Sequence, residues 1–402
     1  MKEHFKIIYL INLLLDAQMF IIEPVFAVYL TTRLGFSVTS SSFIIAGSFV
    51  GSIIGCFAVP VLVKKFHYKS IMGVNIIIVG LAAFLLTTTH SLLLLALFNG
   101  SMGLGYSIIN SNIQSIISKV FPEELIQEAF AKRAVASNIG ISVGVLLSGV
   151  LNGEGLIKWC FLVPALLSII SFVLIFIFVV NMEDEEVPEY ISISTVVKRT
   201  FSNIRLQIFN FISFGFWIAL SAFLLGLPLF VNASYPNINI GLVYFVNTIT
   251  IVLLQVKFIK FISEKMSILM AITAGSVVIT VSFLTFFSAT NLFLLFLAVI
   301  VFTIGEVMVL PLIPSFIAGL SSRDDTDINI SYMMLVRYIG LAVGQIVAGV
   351  LIDYTSALNK SPRFSWFLFA IIAGIVSICF YVYSCKNKEL REKQGLDLAS
   401  NE

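Results

Sequence analysis

Charge is what this sequence lacks most. Asp, Glu, Lys and Arg make up 11% of its 402 residues. A soluble domain carries about 25%. With 59% hydrophobic residues, the chain cannot cover its apolar surface with a polar shell. The net charge of +2 supplies no basic face for nucleic acid. Cysteine is scarce too. Cys56, Cys160, Cys379 and Cys385 have no Cys-x-x-Cys or other metal spacing, and three lie inside apolar runs, where cysteine is a small buried hydrophobe. Gly-x-x-x-x-Gly-Lys-Ser/Thr is absent, which removes the usual signature of ATP hydrolysis. No Ser-His-Asp arrangement occurs, and His4, His67 and His90 all stand near the ends of apolar runs. Neither an enzyme nor a bound cofactor is expected.

What the chain has is long apolar runs, with a mean hydropathy of +1.04. A membrane span needs about 20 predominantly apolar residues. Twelve runs qualify: 7–31, 41–63, 71–89, 92–117, 134–153, 157–180, 207–231, 237–260, 268–288, 292–318, 331–352 and 363–384. Lys2 and Lys6 before the first run mimic a signal peptide. Asp16 interrupts the run and no small-x-small site follows, so an uncleaved first span is expected. The expected class is an all-α membrane protein of two six-helix bundles. These are an N-terminal bundle over 1–181, a polar linker over 182–205, a C-terminal bundle over 206–384 and a tail over 385–402. With the N-terminus in the cytoplasm, 19 Lys and Arg fall on the inner side and 4 on the outer, with Arg337 left in a span. The positive-inside rule therefore places both termini in the cytoplasm.

The two halves carry a repeat. Gly103, Leu104 and Gly105 stand 200 positions before Thr303, Ile304 and Gly305. Gly140, Gly144 and Gly149 stand 200 before Gly340, Gly344 and Gly349. Pro24, Val25 and Phe26 match Pro228, Leu229 and Phe230 at an offset of 204. Halves repeated in the same membrane orientation imply a substrate site near the midplane and alternating access.

Four ionisable groups fall within the expected spans away from their ends: Asp16, Glu23, Glu306 and Arg337. No other acid lies between Glu264 and Asp324, so Glu306 stands alone in the tenth run. A carboxylate at the bilayer centre costs about 2.5–3.5 kcal/mol on insertion scales, which makes such a residue a functional candidate. Asp16 and Glu23, seven apart, share one helix face with Phe20 between them, about 10 Å apart along the axis. Pro24 is expected to kink the first helix near Glu23. Acids so placed can take a proton on one side of the membrane and release it on the other. Each can equally be a structural hydrogen-bonder to a neighbouring helix. Arg337 can snorkel to the interface or pair with Glu306. Lys64, Lys65 and Lys69 anchor topology, or latch onto acids such as Glu123, Glu124 and Glu128.

Leu14, Leu15, Asp16 and Ala17 with Pro24 and Val25, the two glycine sets, and Gly305 and Glu306 with Pro311 together resemble the major facilitator superfamily, and within it the twelve-helix drug/proton antiporters. The resemblance implies that the first, fourth, seventh and tenth spans line the pathway. Asn110, Gln114, Phe216 and Trp217 then join Phe20 as substrate-contact candidates, with Glu306, Glu23 and Asp16 as proton carriers. The chain departs from the pattern at the loop after the second span, which keeps Lys64, Lys65 and Lys69 but not the Asp or the glycines. It departs also at Asn99, where exporters carry Arg, and at Val145 and Ser148 in the fifth span. The expected function is proton-coupled efflux of amphipathic organic compounds by a monomer in a bacterial inner membrane. Its rivals are transport of a specific metabolite (a sugar, amino acid or siderophore) and, more distantly, a non-transporting receptor.

Overall fold

The computed structural model describes residues 2–121, 123–153, 155–179, 203–321 and 325–387. Most of the expected linker and the end of the tail lie outside them. So do the side chains of Lys2, Lys6, Glu123, Glu124, Lys257, Lys260 and Lys265.

The described chain is helical throughout, without a strand. In order come α1 (Lys2–Val28), a π-helical turn (Tyr29–Arg33), α2 (Val38–Leu62), α3 (Tyr68–Leu85), α4 (Leu92–Val120), α5 (Glu123–Leu151) and α6 (Trp159–Phe178). Then follow α7 (Ile204–Ser234), α8 (Ile240–Lys265), α9 (Ile268–Ser288), α10 (Leu292–Val309), α11 (Leu312–Leu320), α12 (Thr326–Ala357) and α13 (Phe364–Lys386). Eleven segments are long and apolar enough to cross a membrane, α10 and α11 together making one. The apolar part of α8, Ile240–Gln255, is shorter. Polar caps set several starts: Ser37 accepts from the Ser40 amide, and Asn291 from Leu294.

Three boundaries differ from the sequence expectation. α1 runs as α-helix with Pro24 inside it and passes into a π-helical turn at Tyr29–Arg33, where the hydroxyls of Thr31 and Thr32 donate back to the Ala27 and Val28 carbonyls. The tenth span breaks at Pro311, which has no amide hydrogen to continue the ladder. α5 begins about three turns before the expected 134, because its first turns are charged and fall outside a hydropathy window.

The chain divides into two compact units. One holds α1–α6 with Val231–Phe245; the other holds α7 up to Phe230 and the chain from Val246 on. In the first, α2 lies along α4, α1 against α5 and α6, and α3 against α4 and α6. Glycines set the α2–α4 distance. A Cβ on Gly51 would stand 1.8 Å from the Gly100 carbonyl oxygen, and one on Gly103 would stand 1.9 Å from that of Ser48. Asn99 spends its amide on the same seam, donating to the carbonyls of Ile44 and Ile45 at 3.0 and 3.1 Å. The core of this unit is largely isoleucine: Ile11, Ile76, Ile109, Ile113 and Ile117 are sealed. The second unit is cored by aromatics, with Phe223 stacked on Phe302 at 3.6 Å and Phe286 on Trp366 at 4.2 Å.

The repeat is a packing repeat. Gly105 presses on Asn75 and Val79 of α3, and Gly305 on Gly275 and Ile279 of α9, both at an offset of 200. Gly140 and Gly144 of α5 meet Leu13 and Ala17 of α1. Gly340 and Gly344 of α12 meet Trp217 and Ser221 of α7, again at the 204 offset of those helices. One further contact sits in the first unit. Gly149 of α5 and Gly241 at the start of α8 cross so closely that a Cβ on either would strike the other's Cα at 2.7–2.8 Å. Along α2, Phe43, Val50, Ile54, Phe57 and Val61 form one exposed apolar stripe of the kind that lipid covers.

Candidate functional site

Asp16 lies buried in α1, 3% exposed, inside a polar cluster. Asn12, one turn earlier, donates to Oδ2 at 2.8 Å. The Tyr106 hydroxyl of α4 donates to Oδ1 at 2.8 Å, and Ser137 of α5 supplies a further hydrogen bond. Arg133 of α5 completes the cluster. Its Nε donates to Asn12 Oδ1 at 3.1 Å and a terminal nitrogen donates to Asn110 Oδ1. Arg133 acts on Asp16 electrostatically, but no ion pair joins them within 4.0 Å. Asn12 stands between, donating to one charge and accepting from the other. Gln114, exposed, donates weakly to Asn110 at 3.4 Å.

Position in the sequence counts Arg133 with the cytoplasmic anchors. It is instead half-buried within a helix that enters the bundle, a fifth ionisable group beside the four expected. Asn12 is legible as an amide four residues before Asp16 on the same face. Tyr106 and Arg133, 90 and 117 residues away from Asp16, give no such signal.

Glu23, two turns along α1, is half-buried. Among the described residues no hydrogen bond or ion pair reaches it. Tyr244, in the part of α8 that belongs to this unit, feels its charge. Phe20 is half-buried beside Gly144. Lys64 and Lys65 are exposed, and the Lys69 ammonium sits 4.8 Å over the Phe176 ring. Glu128 pairs with Lys132 of its own helix at 2.6 Å.

In the second unit Glu306 stands in the last turn of α10, half-buried. Asn247 of α8 donates to its Oε2 at 3.1 Å and to Thr303 Oγ1 at 2.9 Å. Arg337 of α12 lies near enough to act on Glu306, but it too makes no ion pair within 4.0 Å among the described residues. Its guanidinium lies 4.9 Å over the Trp217 ring. Phe216 packs edge-on to Trp217, and both rings are only 2% exposed. Each unit thus holds an acid bonded by an asparagine, with an arginine nearby but not in contact.

Residues 8–318 match the Major Facilitator Superfamily. The chain belongs to that superfamily. It is 23% identical to the MFS-type transporter YttB of Bacillus subtilis (strain 168) over 82% of this chain and 84% of that one. It is 24% identical to the MFS-type transporter YqjV of the same strain, over 93% and 92%. Among solved structures, the fold is similar to the nucleoside transporter NupG, with a TM-score of 0.80 at 16% identity, covering 94% of this chain and 98% of that one. It is similar also to a bacterial homologue of the human drug peptide transporters, with a TM-score of 0.72 at 13% identity over 97% and 99%. The protein is therefore a multi-pass membrane transporter of the major facilitator type, and its two acid–asparagine–arginine clusters sit on that family's helical frame.

Proposed function

We propose that this facilitator is a proton-coupled secondary transporter of a small polar organic solute, with Glu306 and Asp16 as the groups that change charge. One observation carries the reading. In each unit a carboxyl within a span is bonded by neutral donors while its nearest cation stays out of contact. A carboxylate locked in a direct, buried ion pair resists protonation, because the freed cation is left unpaired. A carboxyl held by an amide keeps partners in both states, since the amide offers a donor and an acceptor. The polar shells of Asn12, Asn110, Tyr106 and Gln114, and of Asn247 and Thr303, suit a solute recognised by hydrogen bonds. Solved nucleoside and peptide transporters of the same fold support that class over a purely lipophilic one.

The second reading, efflux of amphipathic organic compounds by drug/proton exchange, rests on Glu23. It is an acid with no bonded partner among the described residues, beside Phe20, and open to a cationic ligand. Under either reading both termini face the cytoplasm of a bacterial inner membrane, and residues 182–205 link two six-helix bundles of a monomer.

The test is uptake and counterflow in proteoliposomes with and without an imposed pH gradient, over nucleosides, peptides, sugars, amino acids and a lipophilic cation. Glu306→Gln is expected to abolish gradient-driven accumulation and to retain counterflow of the same solute. Accumulation equal to wild type would remove Glu306 from the coupling machinery. Gradient-driven movement of the lipophilic cation alone would favour the second reading.

A further inference from the structure

We infer that Arg337, Trp217, Ser213 and Asn210 form a binding site for a small monovalent anion inside the second unit. Arg337 Nε, Trp217 Nε1, Ser213 Oγ and both amide atoms of Asn210 are sealed from solvent and meet no hydrogen-bond partner among the described residues. Asn210, Ser213 and Trp217 are 1%, 0% and 2% exposed. They stand at positions i, i+3 and i+7 of α7, one face of one helix. That face looks onto α12, because a Cβ on Gly340 would stand 2.7 Å from the Trp217 Cβ, and the Arg337 guanidinium lies over the indole. Two of the groups, the guanidinium Nε–H and the indole N–H, are donors only. The hydroxyl and the amide NH2 can turn to donate as well.

A buried polar group without a partner costs about 1–3 kcal/mol, and more where it is charged. Four side chains in one strip therefore call for an acceptor, and the charge of Arg337 selects a negative one. Glu306 does not fill that role. Its carboxylate is bonded to Asn247 and makes no ion pair with Arg337. An anion held here by the two N–H groups and the Ser213 hydroxyl satisfies those donors and the guanidinium together, as charge-assisted hydrogen bonds do. The Asn210 NH2 faces the same strip from the N-terminal side, and its Oδ1 needs a donor of its own. Because Glu306 acts on Arg337 through space, its negative charge opposes the anion, so the two occupancies are linked and the linkage is reciprocal. The site stands on these contacts alone and is independent of which solute the transporter moves.

The test uses the full chain in detergent and reads the melting temperature as potassium chloride replaces potassium gluconate at constant ionic strength. A ligand that binds only the folded state raises stability in a saturable way. Wild type is expected to show a saturable rise. Ser213→Ala weakens it by about tenfold or more in midpoint, the loss of one charge-assisted hydrogen bond. Arg337→Gln abolishes it. Glu306→Gln shifts the midpoint to about fivefold lower chloride, as a nearby negative charge is removed. Arg337→Lys keeps a charge without the planar donor and gives a weaker rise, which covers the case in which Arg337→Gln fails to fold. Acetate in place of chloride, small enough to enter a sealed strip where the six-carbon gluconate is not, distinguishes a halide-sized site from one that takes a carboxylate group, and saturation by either supports an anion site. Equal melting in chloride and gluconate, which is the result if water alone satisfies the strip, would overturn the proposal. So would a chloride effect that is the same in wild type, Ser213→Ala and Arg337→Gln. The exposed-surface control Lys158→Gln keeps the wild-type response.

Discussion

Arg133→Gln is expected to lower stability by about 2–3 kcal/mol, the loss of charge-assisted hydrogen bonds to Asn12 and Asn110 from a half-buried site. It is also expected to stop transport. Among the described residues the arginine is the one cation that reaches Asp16, which is itself 3% exposed. It also bonds Asn12 and Asn110, so its loss frees the Asn12 oxygen and leaves Asn110 with only the weak Gln114 donor, as well as leaving a charge uncompensated. Asp16→Asn is expected to cost less. The carboxylate goes, and the half-exposed guanidinium can still reach water and both asparagines. The double variant Asp16→Asn/Arg133→Gln should then recover most of the stability lost in Arg133→Gln while transport stays off. Melting curves of the three proteins beside wild type read the stability term, and solute counterflow reads function. Additive losses would mean that Asp16 and Arg133 do not share a cluster.

Gly51→Ala is expected to prevent accumulation of folded protein, or to cost at least about 3 kcal/mol, the upper end for overpacking. The added methyl would stand 1.8 Å from the Gly100 carbonyl oxygen and 3.0 Å from the Leu104 amide. Backbone cannot swing aside as a side chain can, so α2 and α4 must part. The seam they form holds the Asn99 hydrogen bonds, which would stretch with it. Gly73→Ala is the comparison. Its methyl would meet only the Phe172 ring at 3.5 Å, an ordinary contact, and alanine suits a helix better than glycine by up to about 1 kcal/mol. Melting temperature and yield from membranes should drop sharply for the first and hold or rise for the second. If both behaved alike, the close α2–α4 approach would be wrong.

The glycine repeat was readable because close backbone contact excludes Cβ, and exclusion leaves a mark at every position where it acts. Gly105 and Gly305, or Gly140 and Gly340, announce helix crossings without any partner being known. Spans were readable for a similar reason, since each is judged by its own residues. The start of α5 was not. Glu128, Lys132 and Arg133 look like a cytoplasmic loop to a hydropathy window, and only the fold turns Arg133 toward Asp16. The acids themselves were legible as rare charges in apolar runs. Their partners were not, because Asn247 and Glu306, or Tyr106 and Asp16, meet through the order of helices in space. Phe216 and Trp217 illustrate the limit from the other side. Sequence offered them as an aromatic surface, and the fold buries both, with Arg337 already laid across Trp217.

The crossing of Gly149 with Gly241 bears on how the protein is made. The first six helices leave the ribosome well before the start of α8, yet their unit is complete only with Val231–Phe245. At about 5–20 residues per second, the roughly 90 residues between the two glycines take several seconds to be synthesised. During that interval the C-terminal end of α5 is in the membrane without its partner backbone, and a chain halted at the linker never acquires it. Until the second half is translated the Gly149 face of α5 lacks the backbone that covers it, and the arrival of Gly241 supplies it.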